Sequence, residues 1–237
     1  MRAERLTGRK SCSGALERDL RGCGYHAIAG VDEVGRGALF GAVFAAAVVL
    51  SPDRPIRGLQ DSKQLEPARR DVLARRIRER AVAWSIAAVD AATIDRINIY
   101  EASRVAMRLA VERLAPSADY LLIDAVYIDV PLPQRAFIKG DARCQSIAAA
   151  SILAKVERDA CMTAWDEVYP QYSFARSKGY GTPEHMRALR ELGPTPLHRL
   201  SFAPVRENAL FPWVRDAQPS LFDDAFEATP LEAGACP

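Results

Sequence analysis

Four carboxylates, delivered by three separate stretches of chain, set the chemistry open to this protein. Asp32 and Glu33 sit together at the end of an apolar run and are followed by Gly35-Arg36-Gly37. Asp124 closes Tyr120-Leu121-Leu122-Ile123, and Asp141 comes just after Lys139-Gly140. Ionised carboxylates are hard oxygen donors of the kind that hold Mg²⁺ or Mn²⁺. Soft competitors are scarce: there are three histidines, and the five cysteines (12, 23, 144, 161 and 236) form no C-x-x-C pair and no zinc spacing. Taken alone, Asp-Glu before Gly-x-Gly is more often a solvated hairpin turn than a site. A nucleotide cradle is excluded, because Gly35, Gly37 and Gly41 miss the dinucleotide spacing and no Gly-Lys-Ser/Thr follows. What favours a site is the separate arrival of Asp124 and Asp141 at strand ends, where ligands gather in open α/β sheets.

Groups suited to a polyanion stand near them in the sequence. Gly35, Arg36 and Gly37 let backbone approach a substrate where a Cβ would collide. Ser62 and Lys63, after Asp61, offer a hydroxyl and a point charge to a backbone phosphate, or else a helix cap before Pro67. Tyr180, between Gly179 and Gly181, offers a flat ring to stack on a sugar or base, or else anchors a loop.

The elements that must position these residues follow from periodicity. Residues 27–31 alternate small and β-branched side chains like a short strand, and residues 42–50 (AVFAAAVVL) form a nearly continuous buried one, which puts Asp32 and Glu33 at the end of a hairpin. Residues 66–81 read as a helix with Leu73 and Ile77 on one face and six arginines elsewhere, an ordinary solvated face rather than a phosphate track. A strand over 82–89 and one or two helices over 91–114, interrupted near Asn98, are scaffold. Strands over 119–123 and 135–139 deliver Asp124 and Asp141. Residues 144–165 form a long helix of small and apolar residues suited to packing on a sheet, with Lys155 and Asp159 paired one turn apart. Beyond Pro170, glycine and proline punctuate one short helix, 183–192, in a small helical cap.

Seven segments together, Asp32-Glu33-Val34-Gly35-Arg36-Gly37, Asp61-Ser62-Lys63, Leu121-Leu122-Ile123-Asp124, Lys139-Gly140-Asp141, Ala149-Ala150-Ser151-Ile152-Leu153-Ala154-Lys155-Val156, Lys178-Gly179-Tyr180-Gly181-Thr182 and His198-Arg199-Leu200-Ser201-Phe202, resemble the motif series of ribonuclease HII in order and spacing. The resemblance implies an α/β fold, a ribonuclease H-like mixed β-sheet flanked by helices. It implies hydrolysis of the RNA strand of RNA–DNA hybrids and incision at single ribonucleotides embedded in duplex DNA, leaving a 3′-hydroxyl and a 5′-phosphate. Asp32, Glu33, Asp124 and Asp141 would then be both catalytic and metal-binding, holding two divalent ions, Mg²⁺ or Mn²⁺, that activate a water and stabilise the departing 3′ oxygen. Gly35, Arg36, Gly37 and Tyr180 would read the junction through the 2′-hydroxyl that separates RNA from DNA. Ser62 and Lys63 would hold phosphate.

The chain departs from the usual family pattern at Ala38 and Ala42, where prolines are common, at Phe40, which replaces a small residue, and at Ala125, where glycine is usual. None removes a ligand; Phe40, close to the Gly-Arg-Gly turn, bears on the shape of the substrate groove. Ribonuclease HIII is the nearest alternative, disfavoured by Arg36, where that family carries lysine, and by a leader of only 26 residues. A non-catalytic hybrid-binding module is the alternative from another class, disfavoured by four intact carboxylates.

A chain of 237 residues, 49% hydrophobic, suffices for one well-buried domain with an appendage. The expected organisation is a mobile or loosely docked N-terminal arm (1–26), in which residues 15–21 could make a helical turn or two packed on the body, a catalytic core (27–169), the helical cap (170–213) and a disordered acidic tail (214–237). No run approaches the roughly 18 apolar residues of a membrane span, and the first ten residues lead into no secretory segment, so a cytoplasmic protein is expected. Residues 215–237 carry a net −4 in a chain of +2, leaving +6 on the rest, a balance that suits a polyanion partner for the body. Within the tail, Gln218-Pro219-Ser220-Leu221-Phe222 resembles the short motif by which bacterial replication and repair proteins dock on the sliding clamp. Leu221 and Phe222 would fill an apolar pocket with Gln218 bonded at its rim, or else fold back on the body.

Overall fold

A computed structural model describes residues 12–209. In chain order it contains α1 (Ala15–Gly22), β1 (Ile28–Val34), β2 (Val43–Val49), α2 (Pro67–Arg80), β3 (Ala83–Val89), α3 (Ala91–Glu112), β4 (Tyr120–Asp124), β5 (Gln134–Phe137), α4 (Gln145–Val168), α5 (Phe174–Ser177), α6 (Pro183–Leu192) and α7 (Ala203–Glu207). The described strands make one sheet in the order β3-β2-β1-β4-β5. The first three strands are antiparallel, and β4 and β5 join in parallel, so the sheet is mixed and flanked by helices as expected.

The unbroken apolar run of β2 has its reason in burial on both faces. Val43, Ala45, Ala47 and Val49 point into a core shared with Ala102, Ala106 and Met107 of α3. Ala46 and Val48 point to the opposite side, against Leu73 and Ile77 of α2 and the small residues of α4. Those small residues let α4 lie almost on the sheet: a Cβ at Gly30 would stand 2.0 Å from the Ser146 carbonyl carbon, so only glycine fits. Helix α3 breaks at Asn98 (φ 65°), where the expected interruption falls; the Asn98 side-chain oxygen accepts from Tyr100 N and Glu101 N and restarts the helix.

Three expectations need correction. Strand β1 does not stop at residue 31; pairing of Asp32 with Ala46, Glu33 with Ala45 and Val34 with Phe44 carries the ladder through both carboxylates. The described part of the N-terminal arm is docked rather than loose: Glu17, 4% exposed, accepts from Ser146 N and Ser146 Oγ, both at 2.9 Å, and so satisfies the amino end of α4. Leu16 and Leu20 of α1, in the helical turns expected over 15–21, add apolar contact with the cluster of Ile28, Leu122 and Ile147. Finally, the cap holds three helices, α5 to α7, around an aromatic cluster centred on Phe40, which is fully buried and stacked on Phe174 at 3.8 Å between centroids. Phe40 is therefore core of the cap and not a wall of a groove. Gln218, Leu221 and Phe222 lie outside the described residues. Among the described residues no helix is long and apolar enough to cross a membrane.

Candidate active site

Parallel pairing of β1 with β4 matches Val31 to Ile123, so Asp32 and Asp124 occupy the next step on adjacent strands. The chain leaves β4 through Ala125, held at φ 60°, and Ala125 N donates to Phe137 O at 2.8 Å. Beyond β5, Lys139 turns at φ 57° into a 3₁₀ turn, Gly140–Ala142, that carries Asp141. Gly140 N donates to Asp124 Oδ1 at 2.6 Å, tying the two aspartate segments together. Sheet register thus places Asp32 and Asp124, and one turn adds Asp141.

The cluster carries charge that it does not neutralise. Asp32, 6% exposed, is pushed well up by burial, then by Glu33 and Asp124, against relief from the Ser151 hydroxyl and from Glu33 N, which donates to Asp32 Oδ1 at 2.8 Å. Glu33 is raised by burial and by Asp124, with Arg36 opposing: Arg36 Nη1 lies 3.5 Å from Glu33 Oε1. Its other oxygen, Oε2, is buried with no hydrogen-bond partner. Burial raises Asp124 and Asp141 as well, and the neighbouring carboxylate of Asp61 is the next largest cause at Asp141. Clustered carboxylates, one with an orphaned oxygen, fit hard divalent cations in charge and donor type. They are not a closed cage: among the described residues no three His, Cys, Asp or Glu side chains already converge as ligands on one point.

Beside the carboxylates, the Gly35-Arg36-Gly37 turn is held from beneath by two fully buried arginines. Gly35 takes φ 95°, and a Cβ there would stand 2.3 Å from Arg158 Nε. Arg199 donates from Nη1 to Arg36 O and from Nε to Gly41 O, each at 2.9 Å. Arg158 donates to Lys178 O at 2.8 Å and lies against the Tyr180 ring, 5.2 Å from its centroid. A Cβ on Gly37 would be 3.9 Å from Tyr180 Cε1, so the turn and the ring named from sequence face each other.

Lys63 is exposed, and its charge reaches Asp124. Ser62 is not available as a phosphate ligand through its hydroxyl: the residue is 4% exposed, and its Oγ is paired with Ser151 Oγ at 2.9 Å. Both readings of the segment have a share, since Asp61 accepts from Lys63 N at 2.9 Å and caps the short 3₁₀ turn. Lys155 and Asp159 pair at 2.6 Å, as their spacing suggests. Sequence reasoning passed over Asp61, Ser151, Arg158 and Arg199 as site residues. All four lie inside the quoted motifs or within three residues of one, and nothing local in the sequence says that the arginines are buried.

A mixed sheet of this order with clustered carboxylates on its central strands defines a ribonuclease H-like nuclease. The sequence pattern of the family described as Ribonuclease HII matches residues 29–205. The chain is 67% identical over 218 residues to the ribonuclease HII of Solibacter usitatus, covering 92% of this chain and 96% of that one. It is 50% identical over 225 residues to that of Koribacter versatilis, covering 95% and 86%. Among solved structures it is similar to ribonuclease H2 from Pyrococcus horikoshii, with a TM-score of 0.68 at 23% identity over 81% of this chain and all of that one. It is also similar to the ribonuclease HII in a PCNA complex from Archaeoglobus fulgidus, with a TM-score of 0.61 at 26% identity over 70% of this chain and 88% of that one. The chain belongs to the ribonuclease HII family, and is an endonuclease with ribonuclease H activity on RNA–DNA hybrids.

Proposed function

We propose that the protein incises duplex DNA at single embedded ribonucleotides as well as cutting longer hybrids, with divalent ions held by Asp32, Glu33, Asp124 and Asp141. The observation that carries this reading is the meeting of the carboxylate cluster with the Gly35–Gly37 turn and the Tyr180 ring. When bound, Mg²⁺ or Mn²⁺ would acidify a water and stabilise the departing 3′ oxygen, leaving a 3′-hydroxyl and a 5′-phosphate. A ribonuclease HIII of the same fold, from Bst, has been solved in complex with Mn²⁺, at 19% identity and a TM-score of 0.60 over 77% of this chain and 68% of that one.

The chain's own residues supply the rest. Backbone at Gly35, Arg36 and Gly37 approaches a 2′-hydroxyl at hydrogen-bond range, and Tyr180 stacks on the sugar at the junction. Lys63, solvated and across from Asp124, holds a phosphate as a point charge. Asp32, buried, and Glu33, half-buried, are both held within a strand and do not have to reorganise when charge develops.

The tail sequence Gln218-Pro219-Ser220-Leu221-Phe222 is proposed to dock on a bacterial sliding clamp, raising the local concentration of the nuclease without touching its site. The Archaeoglobus relative, solved with PCNA, lends the idea support by analogy. The test of the main reading is cleavage of a duplex containing one ribonucleotide beside cleavage of a continuous hybrid. Activity on the hybrid with none on the single ribonucleotide would overturn it.

A further inference from the structure

Three successive carbonyls around Tyr180 are each clamped by a different element. Lys178 O accepts from Arg158 at 2.8 Å, Gly179 O from Leu39 N at 2.8 Å, and Tyr180 O from Thr182 N at 2.8 Å and His185 Nδ1 at 2.9 Å. The last contact continues inward. His185 Nε2 lies 2.9 Å from His198 Nε2, and His198 Nδ1 lies 2.9 Å from both Thr195 N and Thr195 Oγ1. Both imidazoles are buried, at 0% and 1% exposed, among the rings of Phe40, Tyr172 and Phe174.

The direction of this chain is forced by its two ends. A carbonyl can only accept, so the proton of His185 sits on Nδ1. A backbone N–H can only donate, and the Thr195 hydroxyl can donate beside it, so His198 Nδ1 carries a lone pair and its proton sits on Nε2. One proton then lies between the two Nε2 atoms, donated by His198 and accepted by His185. Any other neutral arrangement sets two lone pairs or two N–H groups against each other in a buried site, at the cost of an unsatisfied polar group. Burial lowers both basicities, that of His198 to about 3, which keeps the pair uncharged.

We propose that His185 and His198 are positioning residues, a neutral pair that fixes Tyr180 at Gly37 through its carbonyl and so sets selectivity for a single ribonucleotide. The inference rests on the reading of Tyr180 as the junction residue. A ring held to within a fraction of an ångström matters most where one nucleotide supplies the only correct register, and least on a long hybrid that offers many.

Side-chain ¹⁵N NMR of the full-length protein at pH 7 tests the arrangement itself, and is expected to show His185 as the Nδ1–H tautomer and His198 as the Nε2–H tautomer. His198→Phe removes the donor to His185 and is expected to lower single-ribonucleotide kcat/KM about tenfold more than long-hybrid kcat/KM. His198→Gln, whose amide can donate in place of Nε2–H, is expected to restore most of that loss, which a ring needed only for packing would not do. An Nε2–H tautomer at His185 overturns the proposal, whether or not the variants fold. Unchanged selectivity in a folded His198→Phe, while Tyr180→Ala loses selectivity, overturns the relay and leaves the reading of Tyr180 standing. Unchanged selectivity in Tyr180→Ala removes that reading, and the relay falls with it as a selectivity device.

Discussion

Gly35 and Arg158 share one space: the α-carbon of Gly35 turns at φ 95° directly over the guanidinium, with 2.3 Å left for any Cβ. The buried cation thus sets the conformation of the turn beside the carboxylates. Gly35→Ala would incur both left-handed strain and a clash, and is expected to cost about 2 kcal/mol or more of stability along with most activity. Urea unfolding measures the first; a loss under about 0.5 kcal/mol would mean that Arg158 moves aside freely.

Ala125 is a second left-handed residue, at φ 60°, and it follows Asp124 directly. An alanine there is strained by about 1 kcal/mol relative to glycine. Part of that is returned by the greater freedom of glycine in the unfolded chain. Ala125→Gly is therefore expected to raise the melting temperature by about 1–2 degrees without lowering activity. A lower melting temperature would show that the strain is already relieved.

Asp32 is held well above its ordinary range by burial, Glu33 and Asp124. A carboxyl raised on folding stabilises only at low pH, and that contribution is lost as pH rises through its folded value. At neutral pH without divalent metal, charge at Asp32 therefore opposes folding. Asp32→Asn should melt higher than the parent protein in EDTA, by several degrees, while losing cleavage altogether. Equal or lower melting in EDTA would show that the carboxylates do not repel one another in the folded protein.

The histidine pair works in the opposite sense. His198, near 3 when folded against 6.5 unfolded, stays neutral while the unfolded chain takes up protons, so its stabilisation is complete above about pH 6.5 and is lost as pH falls toward 3. One such histidine contributes a slope of about 1.4 kcal/mol per pH unit between those limits. The stability difference between the parent protein and His198→Gln is expected to shrink by that slope from pH 6 to pH 4. A pH-independent difference would show that His198 is already charged in the folded state.

Much of the scaffold was legible because it rests on local apolar patterning: the all-buried β2, the Leu-Leu-Ile run into Asp124 and the interruption of α3 at Asn98 all show in the order of residue types. The candidate site shows in the sequence where carboxylates end apolar runs, which no solvated loop requires. What stayed hidden depends on tertiary burial of polar groups. Arginines read as surface residues, yet Arg158 and Arg199 are fully buried beneath the Gly35–Gly37 turn. Glu17 reads as one more charge on the N-terminal arm, yet it is buried and caps α4. Ser62 beside a lysine suggests phosphate, yet its hydroxyl belongs to Ser151. Burial of this kind is set by elements far apart in sequence, so no local pattern records it.

Asp32, Glu33, Asp124 and Asp141 are proposed to form one metal-dependent site that cuts beside a lone ribonucleotide. The most direct measurement maps cleavage of a duplex carrying one embedded ribonucleotide, with Mg²⁺ or Mn²⁺, for the parent protein and for Asp124→Asn, which removes one anionic ligand at nearly constant volume. The parent protein is expected to make a single cut at the ribonucleotide, leaving a 3′-hydroxyl and a 5′-phosphate. Asp124→Asn is expected to bind the duplex yet retain less than about a tenth of that cleavage at saturating metal. Cleavage that persists in EDTA, or an Asp124→Asn protein with undiminished activity, would rule out a metal site built on these carboxylates.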